Sequence, residues 1–232
     1  MQKKTKILAT ILVSTGVAFV FLITPIVEYI QFGTRYGDGV IRANIVDVDT
    51  VWEISKFRSC AGHPYPRVDE LSSEKHYLSL FNSYFDDPTR TVKLYALWDG
   101  TIEDLIEDVD PAIGWSILLS SSWYMAIYMH VEYLDNITKG MRVNAGDWIG
   151  YADVPHPTLT YTSFDICIHR GRAYSDQTYS YFEMMPDSVF AEWSDRGLTD
   201  RTQVVISAAY RAANPCTVYN SNHADDWLTL TV

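Results

Sequence analysis

Basic residues are scarce in this chain. Lysine and arginine number 18 against 29 aspartates and glutamates in 232 residues, a formal net charge of −11. A surface with that balance repels polyanions and offers no basic stripe for phosphates, which excludes nucleic acid as a partner. Charge of either sign is also low, at 20% of residues against 47% hydrophobic. That much apolar surface offsets the chain entropy of folding, so a disordered or collagen-like chain is excluded as well. Cysteine is sparse, with three residues, which permits at most one bridge within the chain. Cys60 and Cys216 lie in polar, turn-rich surroundings near the two ends of the outer region, whereas Cys167 sits in the apolar run Phe164-Asp165-Ile166-Cys167-Ile168. A Cys60–Cys216 disulfide closing the domain over a buried Cys167 thiol fits this distribution, and three unpaired thiols are the alternative.

What is present begins with one segment that carries no charge. Residues 7–27 contain no charged side chain, and at 1.5 Å rise per helical residue they suffice to cross a hydrocarbon core of about 30 Å. Residues 7–30 therefore read as a single transmembrane anchor into the lipid bilayer of the cell membrane. Lys3, Lys4 and Lys6 precede the segment, and Glu28, Arg35 and Asp38 follow it. The positive-inside rule then keeps residues 1–6 as a cytoplasmic tip and sends the main domain outward. A cleavable signal peptide is the competing reading; its apolar region is usually about 7–15 residues and ends at small residues, unlike Pro25-Ile26-Val27-Glu28-Tyr29 here.

Residues 31–50 read as a short stalk or first edge segment, and residues 51–232 as the exported domain. Between residues 51 and 90, Gly62, Pro64, Pro66 and Asp86-Asp87-Pro88 break any long element. From Val92 to His169 the reading is mostly strand: Val92–Leu97, Trp115–Leu119 and Met125–Met129 are apolar or alternating runs of strand length, and Asp99-Gly100 is a hairpin-type turn signal. Closely spaced turns at Lys139-Gly140, Asn144–Asp147 and Gly150 suit a compact antiparallel sheet or barrel sandwich. Two C-terminal helices are expected, one capped at Asp187 and ending by Gly197, the other capped at Thr199-Asp200 and running to about Ala213. Their apolar faces, Val189/Phe190/Trp193 and Val204/Val205/Ala208, read as core. Asn136-Ile137-Thr138 is an N-glycosylation sequon on a predicted turn.

Four pieces of this strand-rich segment occur in an order that resembles a known family. They are Leu94-Tyr95-Ala96-Leu97-Trp98-Asp99-Gly100-Thr101-Ile102, Tyr128-Met129-His130-Val131, Lys139 to Gly150, and Ser163-Phe164-Asp165-Ile166. In that order they look like the zinc-dependent M23 peptidase domain, also called LytM or lysostaphin-like, a duplicated hybrid motif fold whose members are peptidoglycan endopeptidases. The resemblance covers about a third of the chain, with a core of about 92–170. It implies a mainly β fold with an antiparallel, barrel-sandwich core, to which the residue patterns above add two C-terminal helices and the N-terminal transmembrane helix. Lipoyl and biotinyl carriers use similar hairpins, but no lysine occupies a carrier-type turn here.

The resemblance also implies a zinc site, and the sequence departs from it. A catalytic zinc takes about three protein ligands and one open position for water. The family supplies them from an early "H-x-x-x-D" and a late "H-x-H"; the late pair falls here on Tyr161 and Ser163. His130 alone carries over cleanly, as a residue assisting the reaction. His63, Asp69 and His76 are the candidate metal residues, although His76 is followed four positions on by Leu80, and His63 is followed by Pro64 with Asp69 one turn too far. A further likeness to uncharacterised M23-like exported proteins lies in Arg58-Ser59-Cys60-Ala61-Gly62-His63 and Lys75-His76-Tyr77, pieces that would flank the cleft. Arg58 would pair with Asp165 or Glu183.

Two site readings stay open. In one the zinc site is dismantled and the cofactor is none; in the other zinc is held by ligands re-sourced from His63, Asp69, His76, His130 and His156. His76 can equally be a packed ring with a satisfied nitrogen, and His169 and His223 read as surface residues. The corresponding functions are envelope binding or assembly, through a cell-envelope polymer or envelope protein as partner, and a divergent metallopeptidase. An envelope or appendage structural subunit is the third. Oligomeric state is left open.

Overall fold

The computed structural model describes residues 40–66, 71–85, 89, 91–107, 115–152, 163–171, 177–219 and 224–231. The expected cytoplasmic tip and membrane anchor, Asp69, His156, Tyr161 and His223 lie outside the described residues. Among the described residues no helix is long and apolar enough to cross a membrane. Residues 40–232 form one compact unit.

The fold is mainly β, with an open antiparallel sheet and few helices. Its strands are β1 (Val51–Ser55), β2 (His76–Leu80), β3 (Lys93–Tyr95), β4 (Gly100–Glu107), β5 (Trp115–Ser120), β6 (Tyr124–Tyr133), β7 (Arg142–Val143), β8 (Trp148–Tyr151), β9 (Ser163–Arg170), β10 (Thr178–Tyr179) and β11 (Trp227–Thr229). The main order is β11-β1-β2-β9-β6-β5-β4-β7, with β10 on β9, and β8 joining β3 to β6. The sheet thus reaches well outside the expected core of 92–170. The turn formers between 51 and 90 do not prevent β1 and β2, because the breakers cluster in the loops on either side of β2.

Period-two alternation gives the sheet two unlike faces. One face carries Leu78 and Leu80 of β2, Phe164, Ile166 and Ile168 of β9, and Tyr124, Ala126 and Tyr128 of β6, all within the main core. The opposite face carries Asp165, Cys167 and His169 of β9, flanked by Tyr77 on β2 and by a smaller apolar cluster of Leu118, Met125 and Ile127. Side chains able to do chemistry are gathered on this second face.

Residues 40–50 are not a stalk. Ile41, Ile45 and Val46 are buried in the core, and backbone bonds join Arg42 to Leu97 (2.8 Å) and Tyr95 to Ile45 (2.8 Å). The Asn44 side-chain oxygen accepts from the Trp193 indole at 2.8 Å. Apolar residues at 41, 45, 46 and 48 have surface to bury, so the chain joins the folded unit from Val40.

The Asp99-Gly100 hairpin does not form as expected. β3 pairs with β8, whereas β4 pairs with β5 and β7. Gly150 is required where β8 crosses β6, since an added Cβ would lie 2.1 Å from the Glu132 carbonyl oxygen.

The helical C-terminal region is shorter in its elements than expected. After the short α1 (Asn82–Phe85) come α2 (Asp187–Ser194) and α3 (Ala208–Ala213). Asp187 is inside α2, and Pro186 holds the cap position. Asp200 does cap, but with Gln203 it closes a capping box on the 3₁₀ turn Arg201–Val204, and Ser207 caps α3 separately. Between them Val205 is extended and bridges to Phe57, which splits the expected single helix. Of the two apolar faces, Phe190, Trp193 and Val204 are buried, while Ala208 is exposed.

Cys60 and Cys216 are joined by a disulfide with Cα atoms 5.5 Å apart, and Cys167 is a buried free thiol. Asn136 is exposed in the turn after β6. The bridge spans 156 residues, so it removes much loop entropy from the unfolded chain. Replacing both cysteines by serine is expected to lower the unfolding free energy by about 2–5 kcal/mol, read from urea titrations of the oxidised parent and the variant.

Candidate functional site

His76 sits in the core. It shares strand parity with Leu78 and Leu80, and its ring lies between Phe57 (5.7 Å, stacked) and Phe182 (5.0 Å, edge-on). Both ring nitrogens are engaged, Nδ1 with the Ser55 carbonyl and Nε2 with the Ser180 hydroxyl, each at 2.8 Å. Burial pushes its pKa down to about 4. As a fully buried, doubly bonded ring on the far side of the sheet, it is no metal ligand.

Its neighbour Lys75 points the other way. Immediately before β2, Lys75 sends its ammonium to the second face, where Nζ donates to Asp165 Oδ2 at 2.5 Å; both side chains are 0% exposed. Nζ also lies 3.1 Å from His63 Nε2 and meets the Tyr77 hydroxyl. Because an ammonium can only donate, His63 Nε2 is an acceptor here, and the ring proton is on Nδ1, donated to the Pro64 carbonyl at 2.9 Å. Burial alone would depress the Lys75 pKa; the Asp165 carboxylate outweighs it and holds the ammonium above its ordinary value. The same burial and the same ammonium push His63 down, keeping that ring neutral. The Tyr65 and Tyr77 rings flank Nζ at 5.1 and 4.6 Å.

Local backbone shape places the rest. Gly62 has φ +71°, and an added Cβ would stand 1.9 Å from the Tyr77 hydroxyl oxygen, so only glycine lets the His63 loop close over Tyr77. His130 is the extra residue of a bulge in β6: Trp115 faces Val131 and Ser116 faces Met129, and His130 takes φ +61°. That turn brings its Nε2 to 3.7 Å from Asp165 Oδ2, with the side chain 36% exposed. Arg58, the other non-glycine residue with positive φ among those described (+63°), pairs with Glu74 at 3.4 Å instead of Asp165 or Glu183. Asp165 is taken by Lys75, and Glu74 lies on the same side as Arg58, with its other oxygen bonded by Thr178.

Behind the cluster lies a second buried group. His169 is fully buried, contrary to the expected surface position, with Nε2 3.1 Å from the Tyr65 hydroxyl and 3.4 Å from Cys167 Sγ. The Cys167 thiol donates to the Glu74 carbonyl, and burial holds its pKa well above the ordinary thiol range. Such a thiol is a poor nucleophile.

Of the sequence-selected residues, the structure brings His63 and His130 together around Asp165 and excludes His76. It adds Lys75 and Tyr77, which were quoted only as pattern matches, and Asp165, which was expected to pair with Arg58 and pairs with Lys75 instead. The two imidazoles and one carboxylate do not fit zinc as they stand: they face an ammonium, and a divalent cation beside it would be repelled at short range. Among the described residues no three His, Cys, Asp or Glu side chains are grouped to hold a metal ion. Ser163, where the late family histidine is expected, offers only a hydroxyl.

No family model and no curated protein matches the sequence. Several solved structures match in part. The catalytic domain of the antimicrobial peptidase lysostaphin from Staphylococcus simulans is 14% identical, with a TM-score of 0.41 over 57% of this chain and 90% of that one. A chain of the SpoIIQ–SpoIIIAH pore-forming complex is 14% identical with a TM-score of 0.44, covering 66% of this chain and 96% of that one. A zinc-containing peptidase from Vibrio cholerae is 14% identical with a TM-score of 0.38, over 59% of this chain and 37% of that one. This chain therefore spans little more than a third of the Vibrio protein. The likeness is one of fold alone, agrees with the LytM-like fold expected from the sequence, and carries nothing about activity.

Two outcomes follow for the buried groups. Replacing Lys75 by Met leaves the Asp165 carboxylate buried without its partner and should cost about 3–5 kcal/mol in urea unfolding, with much of it regained in a Lys75→Met/Asp165→Leu double variant. His76 binds a proton in the unfolded chain below about pH 6.5 but in the folded one only near pH 4. Stability is thus lost as pH falls from about 6.5 towards 4, by about 3 kcal/mol, and a His76→Gln variant should show a shallower acid slope.

Proposed function

We propose that the chain is a membrane-anchored, outward-facing domain of M23-like fold that binds a component of the cell envelope, polymer or protein, without cleaving it. The single observation that carries this reading is the commitment of Asp165 and His63 to the Lys75 ammonium. A zinc hydrolase needs about three free nitrogen or oxygen donors around its metal-bound water, and here two donor-type side chains of the cleft are engaged by an ammonium, which supplies no Lewis acid. The uncharged run at 7–27 supports the anchor, and the lysines before it support an outward domain.

Aromatic side chains supply the contact surface. Trp123 is 57% exposed and Trp148 is 38% exposed, the latter with the Lys93 ammonium 4.6 Å from its ring centroid and Tyr151 against it edge-on. Flat apolar rings with polar rims suit sugar faces and extended peptides.

Metal analysis of the full chain purified in detergent, run beside cosedimentation with envelope polymer and envelope membranes, tests the proposal. The expected result is far less than one zinc per chain, no cleavage of peptidoglycan, and retention that Trp123→Ala and Trp148→Ala weaken by roughly 2-fold to 10-fold. One zinc per chain that is lost in His130→Ala, together with cleavage, would establish the metallopeptidase instead. Absence of retention on either fraction would remove the binding role.

A further inference from the structure

Three features of the Lys75–Asp165 contact go beyond what an ion pair needs. The first is proximity in a dry setting. Both side chains are 0% exposed, they come from positions 90 residues apart, and Nζ lies 2.5 Å from Oδ2. Adding one carbon–oxygen bond of about 1.2 Å places the carboxyl carbon within about 3.7 Å of Nζ, near the separation of about 3–3.5 Å at which bonds form. The Tyr65 and Tyr77 rings lie against the ammonium. The second feature is a neutral base on the nitrogen. His63 Nε2 presents its lone pair to Nζ at 3.1 Å, its own ring proton being held by the Pro64 carbonyl. The third is Asp165 Oδ1, which is buried with no hydrogen-bond partner among the described residues. An unpaired oxygen there costs more as half of a carboxylate than as the carbonyl of a neutral amide.

We propose that Lys75 and Asp165 condense to an intramolecular isopeptide bond, a covalent cross-link between the start of β2 and β9. The reaction begins with a proton passing from Nζ to Oδ2 along their hydrogen bond. That transfer turns two buried charges into a neutral amine and a neutral acid and takes no proton from solvent. The Nζ lone pair then forms a bond to the Asp165 carboxyl carbon. His63 Nε2 removes a second proton from Nζ as general base. Protonated His130, with Nε2 3.7 Å from Oδ2, closes on the departing oxygen and protonates it. The Cγ–Oδ2 bond breaks and Oδ2 leaves as water, carrying one proton from Nζ and one from His130, while the third Nζ proton stays on the amide nitrogen. His63 is exposed and His130 is 36% exposed, so each exchanges one proton with solvent and returns to its starting state. The sum is one ammonium and one carboxylate giving one amide and one water. Holding the two groups in contact supplies an effective concentration on the order of 10⁵ M or more, which an untethered amine and acid lack. Removal of both charges from a dry site favours the product.

Intact-mass measurement and peptide mapping of the full chain, purified in detergent and reduced, test the cross-link. The expected result is a chain lighter by one water, with the peptides of Lys75 and Asp165 recovered as one branched species that survives reduction. Lys75→Met and Asp165→Ala should restore the full mass. His63→Ala should keep a folded near-ultraviolet CD spectrum and yet be at least about 10-fold less cross-linked at harvest. Added imidazole should then raise its linked fraction, which a purely structural role for His63 would not allow. Recovery of Lys75 and Asp165 from the wild type in separate linear peptides, or a lost water that maps to another site such as Asp99-Gly100, overturns the proposal and leaves envelope binding standing. A His63→Ala chain linked as fully as the wild type overturns His63 as the base. If Lys75→Met or Asp165→Ala does not fold, the wild-type map and the His63→Ala comparison still decide.

Discussion

The contact between the Lys75 ammonium and the Asp165 carboxylate organises the functional face of this protein. Two opposite charges with no solvent exposure are tolerable only when each is paired and hydrogen-bonded, because the desolvation of either alone costs several kcal/mol. Every neighbouring choice follows from that requirement. Tyr77 and His63 take the remaining ammonium protons, Tyr65 packs a ring against the same group, and His130 leaves regular strand geometry to approach the carboxylate. The pair bridges the start of β2 to β9, so the electrostatics of the site and the register of the sheet are one construction.

The mainly β architecture was legible from the pattern of apolar runs and turns, and β5 and β6 stand where the apolar runs put them. The site was less so, for a reason that can be traced to one tetrapeptide. In Glu74-Lys75-His76-Tyr77 the imidazole attracts attention as a metal ligand, yet His76 has the parity of Leu78 and Leu80, residues that only a core face would carry. Lys75 and Tyr77 share the opposite parity with each other. Period two applied to β2 selects the lysine, but the density of breakers between 51 and 90 hid the strand. Asp165 was matched to the wrong cation: nothing within Phe164-Asp165-Ile166-Cys167 distinguishes Lys75 from Arg58 as its partner until β2 is laid beside β9. The 3₁₀ turn and α3 failed as one helix because Val205 is used in a bridge to Phe57, a tertiary demand that no local propensity records.

Size and charge take on a different meaning once the faces of the sheet are separated. The apolar excess is divided between a large core, which reaches back to Ile41 and forward to Leu230, and a small cluster of Leu118, Met125 and Ile127 beside the polar site. The small cluster supplies the dry surroundings that make each polar contact there strong. The disulfide and Arg211 act at the loop that carries His63: Cys60 is bonded to Cys216, and Arg211 donates to the Arg58 carbonyl at 2.8 Å. The C-terminal region thereby holds a loop that belongs, in sequence, to the first third of the domain.

Gly62 and Tyr77 occupy the same space from opposite sides, 15 positions apart in sequence, and neither can change alone. A side chain at 62 meets both an unfavourable backbone angle and the phenol oxygen; a smaller residue at 77 deprives the ammonium of an acceptor. In descendants of this sequence the two positions are therefore expected to drift as one inherited unit, conserved together while the Lys75 arrangement persists and released together when it is lost.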